Sequence, residues 1–387
     1  MNFQLTDEQG MILDSLKAFM EQEIYPHEAE ADRTGMVPPE LCHHIRQKAI
    51  ETGFFAMNLP EAVGGGGLDY STMGLIEREL GKASWALAGN IGRPTELLLA
   101  CEGDQVSRYL EPAVSGQKHE CFALTEPGAG SDIMSMKTRA VADGDDYIIN
   151  GYKHFISAHT VPDFAIVFAV TGEDETPRGP RKRVSSFLVE CGEPGFEMTL
   201  GPQCTSQRAY RTYELAFNDC RVNKSQILGQ EGNGLELADK WLKMGRIYVG
   251  AQCCGKMERM LDLAADWAVT RKQFGKPIGR FQGTSFKLAD MATDLHAADL
   301  MVRYACQKAD EGTMSPQDAA MAKLFATEAV GRVADHTVQI YGGMGLMEDL
   351  PVERLWRDSR LERIWDGTSE IQRHIISRTL LREYESG

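Results

Sequence analysis

A mainly α chain with a central β domain is the fold class that these 387 residues predict. Three observations carry it. Apolar residues recur at helical spacing over the first part of the chain, short β-rich runs separated by turn signals fill the middle, and the helical period returns near 231 and lasts to the end. The domains are accordingly set at 1–118, 119–230 and 231–387. A chain of this length is expected to hold two or three packed units. A plain helical bundle would not carry so large a β insert, and a doubly wound fold would alternate strands and helices throughout.

Residues 5–33 read as one helix, with Thr6 as N-cap, Glu8 in the first turn, and Ile12, Leu13, Leu16, Phe19 and Met20 at helical spacing. A second helix is expected near 38–53, after Pro38-Pro39. The run Gly64-Gly65-Gly66-Gly67 breaks the pattern, and 70–82 and 94–114 again favour helix. In the middle, strands are expected at 147–149, 164–170, 185–189 and 212–217, with turns at Asp143-Gly144-Asp145 and Asn150-Gly151. The polar stretch 173–183, ending in Arg181-Lys182-Arg183, reads as a solvated hairpin loop, with a docking site for a phosphate or partner as the alternative. Long helices are expected over 233–272, 282–311, 316–341 and 367–384.

The net charge of −15 argues against a nucleic-acid binder, which needs a basic surface to displace counterions. The chain opens Met1-Asn2-Phe3-Gln4-Leu5-Thr6 without a basic or apolar leader, and no apolar run approaches a membrane span. The nine cysteines are scattered, odd in number and without a CxxC, so they read as reduced, mostly buried thiols. No metal is expected, and a cytoplasmic enzyme fits this pattern.

Five segments could carry chemistry. Leu124-Thr125-Glu126-Pro127-Gly128-Ala129-Gly130-Ser131-Asp132 offers a backbone able to approach a ligand, with hydroxyls at Thr125 and Ser131; as a bare pattern it is equally a turn. It is not GxGxxG and does not sit in a βαβ unit. Gly151-Tyr152-Lys153-His154-Phe155-Ile156-Ser157 places an aromatic and a hydroxyl at a strand edge, suited to a planar ring or simply to a strand. Thr270-Arg271-Lys272-Gln273-Phe274-Gly275-Lys276-Pro277, with Gln282 beyond, reads as a pyrophosphate site or as a basic helix end with Gly275 at C′. Gln339-Ile340-Tyr341-Gly342-Gly343-Met344-Gly345 follows an amphipathic helix and reads equally as its stop. Arg363-Ile364-Trp365-Asp366-Gly367-Thr368-Ser369-Glu370 is either the first turn of the last helix or a catalytic loop, since a carboxylate beside an aromatic has a raised pKa suited to proton abstraction.

In this order the five segments resemble the acyl-CoA dehydrogenase family over essentially the whole chain. The resemblance implies an N-terminal helical domain, a β-barrel-like middle domain and a C-terminal four-helix bundle, assembled as a homotetramer built from dimers. It implies FAD between the middle domain and the bundle, with its tail reaching a neighbouring subunit. Phe122, Leu124 and Thr125 would line the flavin, and Gly130 and Ser131 the pyrophosphate and CoA entrance. Phe155 and Ser157 stand where the family usually has Trp and Thr. Arg271, Gln273, Phe274 and Gln282 match one set of FAD contacts from the neighbouring subunit, and Gln339, Gly342 and Gly343 match a second. Thr368 and Glu370 match further FAD contacts, Arg246 an arginine near the acyl-CoA entrance, and Trp365 and Gly367 flank the substrate.

The implied reaction is α,β-desaturation of an acyl thioester, with electron-transferring flavoprotein as acceptor. Most family members carry Glu where this chain has Asp366, and some carry it on another helix at the position of Gly245. Asp366 is therefore the only carboxylate at either position, with a reach shorter by about 1.3 Å. Related chemistries on the same fold, nitroalkane-oxidase-like or desulfinase-like, are the alternative, and a flavin-binding scaffold without activity is a third. Arg93 and Trp365 in the expected acyl pocket favour short, branched or polar acyl groups. Arg93 is a candidate anchor for a distal acidic group, as in glutaryl-CoA dehydrogenases, or else an exposed or Glu96-paired arginine.

Overall fold

A computed structural model of the chain describes residues 4–177 and 179–385. Met1, Asn2 and Phe3, the start of the segment read above for a leader, and Arg178 of the 173–183 stretch lie outside the described residues. Among the described residues no helix is long and apolar enough to cross a membrane.

The first expected helix is broken. Helix α1 (Asp7–Phe19) carries a capping box in which Thr6 and Gln9 exchange hydrogen bonds. A π turn (Met20–Ile24) and a 3-10 turn (Tyr25–His27) then lead into α2 (Glu28–Thr34). Pro26 is the physical reason, since it has no N–H to give and crowds the preceding turn. Helix α3 (Pro39–Glu51), α4 (Tyr70–Leu80) and the short α5 (Trp85–Ala88) follow. The helix expected over 94–114 is instead a 3-10 turn (Glu96–Ala100), a π turn (Val106–Leu110) and one turn of α6 (Glu111–Val114). Gly103 between them has φ 53°, which ends any continuous helix.

The middle of the chain forms one curled seven-stranded sheet. Its strands are β1 (Glu120–Ala123), β2 (Arg139–Asp143), β3 (Asp146–Ala158), β4 (Phe164–Asp174), β5 (Arg181–Glu190), β6 (Phe196–Leu200) and β7 (Arg211–Asn223). β1 runs parallel to β4, whereas β5 on β4 and β3 on β7 are antiparallel. The central strand β4 is buried on both faces. Phe164, Ile166 and Phe168 join one core, and Ala165, Val167 and Ala169 the other. β4 and β5 reach further into 173–183 than the expected loop, with Glu173 paired to Lys182 and Asp174 to Arg181. Lys182 Nζ donates to the carbonyls of Met134 and Met136 at 2.8 Å, so it serves the protein's own backbone.

The C-terminal part is a helical bundle: α7 (Gly234–Thr270), α8 (Gln282–Asp310), α9 (Pro316–Tyr341) and α11 (Ser369–Glu385), with the short α10 (Pro351–Ser359) packed on α9. Gly275 is not a helix C′ residue. It turns a small hairpin between β8 (Lys272–Gln273) and β9 (Lys276–Pro277), with Phe274 at φ 51° and Gly275 at φ 78°. Two successive left-handed residues are what a two-residue type I′ turn requires. Helices α4 and α7 meet backbone to backbone: a Cβ on Gly255 would lie 1.7 Å from the Arg78 carbonyl oxygen. That close approach fixes α4 against the half of α7 that bears Gly245, Arg246, Tyr248 and Gln252.

Candidate active site

The N-terminal helices, the sheet and the bundle together enclose a cavity of about 1020 Å³. Phe122, Leu124, Thr125, Gly130, Ser131, Phe155, Ser157, Arg93, Arg246, Trp365, Asp366, Gly367 and Thr368 all line it. Arg271, Gln273, Phe274, Gln282, Gln339, Gly342, Gly343 and Glu370 do not, and lie exposed on the surface.

Asp366 sits in the loop between the 3-10 turn Leu361–Arg363 and α11. Its φ is 51° and that of Gly367 is 90°, so the chain makes a left-handed step there. Asp tolerates that conformation better than most residues, but it still needs support from its surroundings. Lys323, fully buried on α9, supplies it: Nζ donates to the Trp365 carbonyl at 3.0 Å and to the Gly367 carbonyl at 2.9 Å. Gln372 Nε2 also donates to the Gly367 carbonyl at 2.8 Å. Trp365 Nε1 donates to Glu362 at 2.8 Å, and Thr368 Oγ1 accepts from the Ile371 N–H at 3.3 Å at the start of the helix. The segment is thus both a helix N-terminus and the mount of a carboxylate.

Burial pushes the Asp366 carboxyl above its ordinary value, because removal from water penalises the charged form. Lys323, Arg93 and Arg246 pull it back, and Glu362 adds to the rise. Across the cavity wall stands Gly245: a Cβ there would lie 3.3 Å from Asp366 Oδ2. Arg246 is itself buried, and its Nε has no hydrogen-bond partner among the described residues.

The other wall belongs to the sheet. Lys153 is fully buried and its Nζ donates to Glu126 Oε1 at 2.9 Å and to the Leu124 carbonyl at 3.0 Å. Glu126 also accepts from the N–H groups of Lys137 at 2.6 Å and Thr138 at 3.0 Å. Burial lowers Lys153 to about 8 against the opposing pull of Glu126. Burial works to raise the Glu126 carboxyl, but Lys153 and the donated hydrogen bonds outweigh it and leave it below its ordinary value. This pair anchors residues 124–138, which the hydrogen bond from the His154 N–H to the Thr125 carbonyl (2.9 Å) ties to β3. A register shift between Lys153 and Ile156 places Phe155 at φ 56° with its ring 59% exposed.

A planar cofactor with hydrogen-bonding edges and phosphates fits this wall. Thr125, Ser131 and Ser157 line the cavity, and their hydroxyls make no hydrogen bond among the described residues. A Cβ on Gly128 or Gly130 would meet nothing within 4 Å, so that backbone is open to close approach.

Several residues of the site were not singled out in the sequence. Lys323, Glu77, Tyr248 and Lys153 are charged or polar groups in helices and a strand, and Glu126 lies in the loop after β1; periodicity alone does not show that such groups turn inward. Arg93 is partly exposed in the cavity, and its Nε lies 2.8 Å from the carboxylate of Glu77, with Glu96 acting on it electrostatically.

Three family models match consecutive parts of the chain: acyl-CoA dehydrogenase N-terminal domain over residues 6–117, middle domain over 121–220 and C-terminal domain over 232–381. Among curated proteins the chain is similar to the human mitochondrial short-chain specific acyl-CoA dehydrogenase, 36% identical over 99% of this chain and 92% of that protein. It is similar also to the caffeyl-CoA reductase-Etf complex subunit CarC of Acetobacterium woodii, 35% identical over 98% of this chain and 99% of that one. Among solved structures, butyryl-CoA dehydrogenase from Megasphaera elsdenii superposes with a TM-score of 0.88 at 35% identity, covering 98% of this chain and all (100%) of that one.

Proposed function

The chain belongs to the acyl-CoA dehydrogenase family of FAD-dependent flavoproteins, and we propose that within it the chain desaturates a short, branched or polar acyl-CoA thioester, with Asp366 as the base that takes the α proton. The observation that carries this reading is the half-buried Asp366 carboxyl on the cavity wall, raised in pKa by desolvation and backed by Gly245. An acid held above its ordinary value is a better match for a weakly acidic carbon than one in water, and a bound thioester would exclude water from it further.

Phe122, Leu124, Thr125, Phe155 and Ser157 are assigned to the flavin ring, and Gly130 and Ser131 to the pyrophosphate and CoA entrance. FAD held by these residues would supply the acceptor for the hydride that leaves the β carbon. Arg246, Trp365 and Gly367 are assigned to the acyl-CoA beside Asp366. Lys323 holds the carbonyls on either side of Asp366 and so orients the carboxylate toward the cavity. The positive charges of Lys323, Arg93 and Arg246 oppose the rise that burial causes and so favour the ionised form that a base needs.

The remaining assigned contacts, Arg271, Gln273, Phe274, Gln282, Gln339, Gly342, Gly343, Thr368 and Glu370, are taken to hold FAD, most of them from the neighbouring subunit. Their exposure outside this chain's own cavity, Thr368 excepted, supports that reading and with it a homotetramer. Electron-transferring flavoprotein is the proposed electron acceptor, supported by the similarity to a subunit named for its Etf complex.

The test is anaerobic addition of acyl-CoA thioesters to the holoenzyme and to Asp366→Asn. The wild type should bleach, and the variant should keep FAD but bleach at least about 10²–10⁴-fold more slowly. Unchanged bleaching by the variant would remove Asp366 as the base. The shorter acid is also compatible with nitroalkane-oxidase-like chemistry, and bleaching by nitroethane but by no thioester would select that reading.

A further inference from the structure

Arg46, Arg93 and Arg246 all line the cavity, and they differ in what compensates them. Arg246 lies within electrostatic reach of Asp366. Arg93 is held by the buried carboxylate of Glu77, 2.8 Å from its Nε, and its guanidinium stacks 4.3 Å above the Tyr248 ring. Arg46, on α3, is only 7% exposed, yet it makes no hydrogen bond or ion pair among the described residues. None of its nitrogens is among the enclosed side-chain atoms that lack a partner, so the guanidinium keeps surface open to a ligand.

A charge taken out of water without a counter-ion is unfavourable, and such groups are usually paired. Asp163 is the carboxylate that acts on Arg46, but it forms no ion pair with it, and its Oδ2 accepts from the His119 N–H at 2.8 Å. Glu120 also lines the cavity, but it accepts from the Thr95 N–H at 2.7 Å and is not among the charges that act on Arg46. Lys118, on the same lining, is spent on Glu190 at 3.0 Å. Burial lowers His119 to about 4 and His159 to about 3, and Arg46 adds to the fall in both. The cavity around Arg46 thus holds one uncompensated cation beside two neutral imidazoles.

The position of Arg46 is distal to the base. Asp366 acts on Arg93 but is not among the charges that act on Arg46. Between them lie rings: Tyr210 is within electrostatic reach of Asp366, and it packs 4.6 Å from His159, on which Arg46 acts. Rings of this kind suit the methylenes of an acyl chain, and a guanidinium fork suits a carboxylate at its end.

We propose, on the desaturation reading above, that the acyl group of the substrate ends in a carboxylate and that Arg46, not the Glu77-paired Arg93, binds it. Anaerobic calorimetric binding to the holoenzyme tests it with matched acyl-CoA thioesters between butyryl and octanoyl length: ω-carboxyacyl, the neutral ω-carbamoylacyl and unsubstituted acyl. At one chain length or more, the carboxyacyl thioester should bind at least about tenfold tighter than both others. Arg46→Met should remove that ranking, and Arg46→Lys, which keeps the charge but not the fork, should keep part of it. Ligand-free Arg46→Met should melt no lower than the wild type, because it loses a buried charge and no partner. Equal or weaker binding of the carboxylate at every length overturns the proposal, as does a ranking that survives in Arg46→Met. Tightening of the unsubstituted thioester by added acetate, without the ranking, also overturns it and makes Arg46 a site for a free anion. Flavin bleaching is followed in the same samples. Ranked binding without bleaching would count against desaturation and leave the Arg46 assignment standing; bleaching without the ranking would do the reverse.

Discussion

Asp366 Oδ2 lies 3.3 Å from the point that a Cβ on Gly245 would occupy, so the carboxylate and the bare backbone of α7 face one another across the cavity wall. The absence of a side chain at 245 is thus a geometric condition on where the Asp366 carboxylate rests. Gly245→Ala should displace it by a few tenths of an ångström. Because a shift of about 1 Å can cost about 100-fold, this smaller one should slow anaerobic bleaching about three- to tenfold. Stability should not fall with it, since Ala in a helix interior is better than Gly by about 1 kcal/mol. Stopped-flow bleaching beside a denaturant melt separates the two effects; an unchanged rate would remove the contact from the mechanism.

The electrostatics of Asp366 predict a pH profile. Its carboxyl is raised by burial, and Lys323 is the strongest of the opposing charges. If Asp366 is the base it works when deprotonated, so bleaching should rise with pH, with a midpoint above the ordinary aspartate value. Lys323→Met removes the charge that most favours ionisation, and the midpoint should move to higher pH. It also takes the Lys323 donor from the Trp365 carbonyl, at a cost of about 1–3 kcal/mol if that group is left unpaired, and leaves the Gly367 carbonyl with Gln372 Nε2. A fall in stability with no shift in midpoint would make Lys323 a structural group only.

On the opposite wall, Lys153 and Glu126 form a buried pair beneath residues 124–138. Lys153→Met leaves Glu126 buried without its cation, and truncating one member of such a pair costs about 3–5 kcal/mol. The carbonyl of Leu124 loses its donor as well. The variant should melt earlier and retain FAD less well, by calorimetry and by the flavin-to-protein absorbance ratio. Full FAD content at an unchanged melting temperature would show that this pair does not hold the loop.

These residues also mark what the sequence made legible. Asp366 and Gly245 were readable because they occupy defined places in a recognisable motif. The apolar run at 164–170 was readable as a strand, and β4 covers it; that both of its faces are buried came only with the packing of the sheet. Lys323, Lys153 and Glu77 were not readable. Each is a charge in an element whose other residues set the period, and only tertiary contact decides that such a charge turns inward. Arg93 shows the same limit: Glu96 is nearer in sequence, but the close packing of α4 on α7 brings Glu77 to it. The single helix expected over 5–33 failed at Pro26, where a missing N–H outweighed an otherwise continuous helical period.

The surface residues give the last test. Phe274 stands at the turn between β8 and β9 with its ring 91% exposed, stacked edge-on only against Phe281 at 6.0 Å. An aromatic that exposed, in a left-handed backbone position, is unfavourable in an isolated chain and favourable where another surface covers it. On the tetramer reading, Phe274→Ala should weaken subunit association and loosen FAD together, since one exposed ring would serve both, with a loss of about 2–4 kcal/mol if it is a central contact. Light scattering gives the assembly state and ultrafiltration the free flavin. If the variant keeps both its mass and its FAD, Phe274 lies outside the interface and the assignment of the residues around it to a neighbouring subunit's cofactor falls with it.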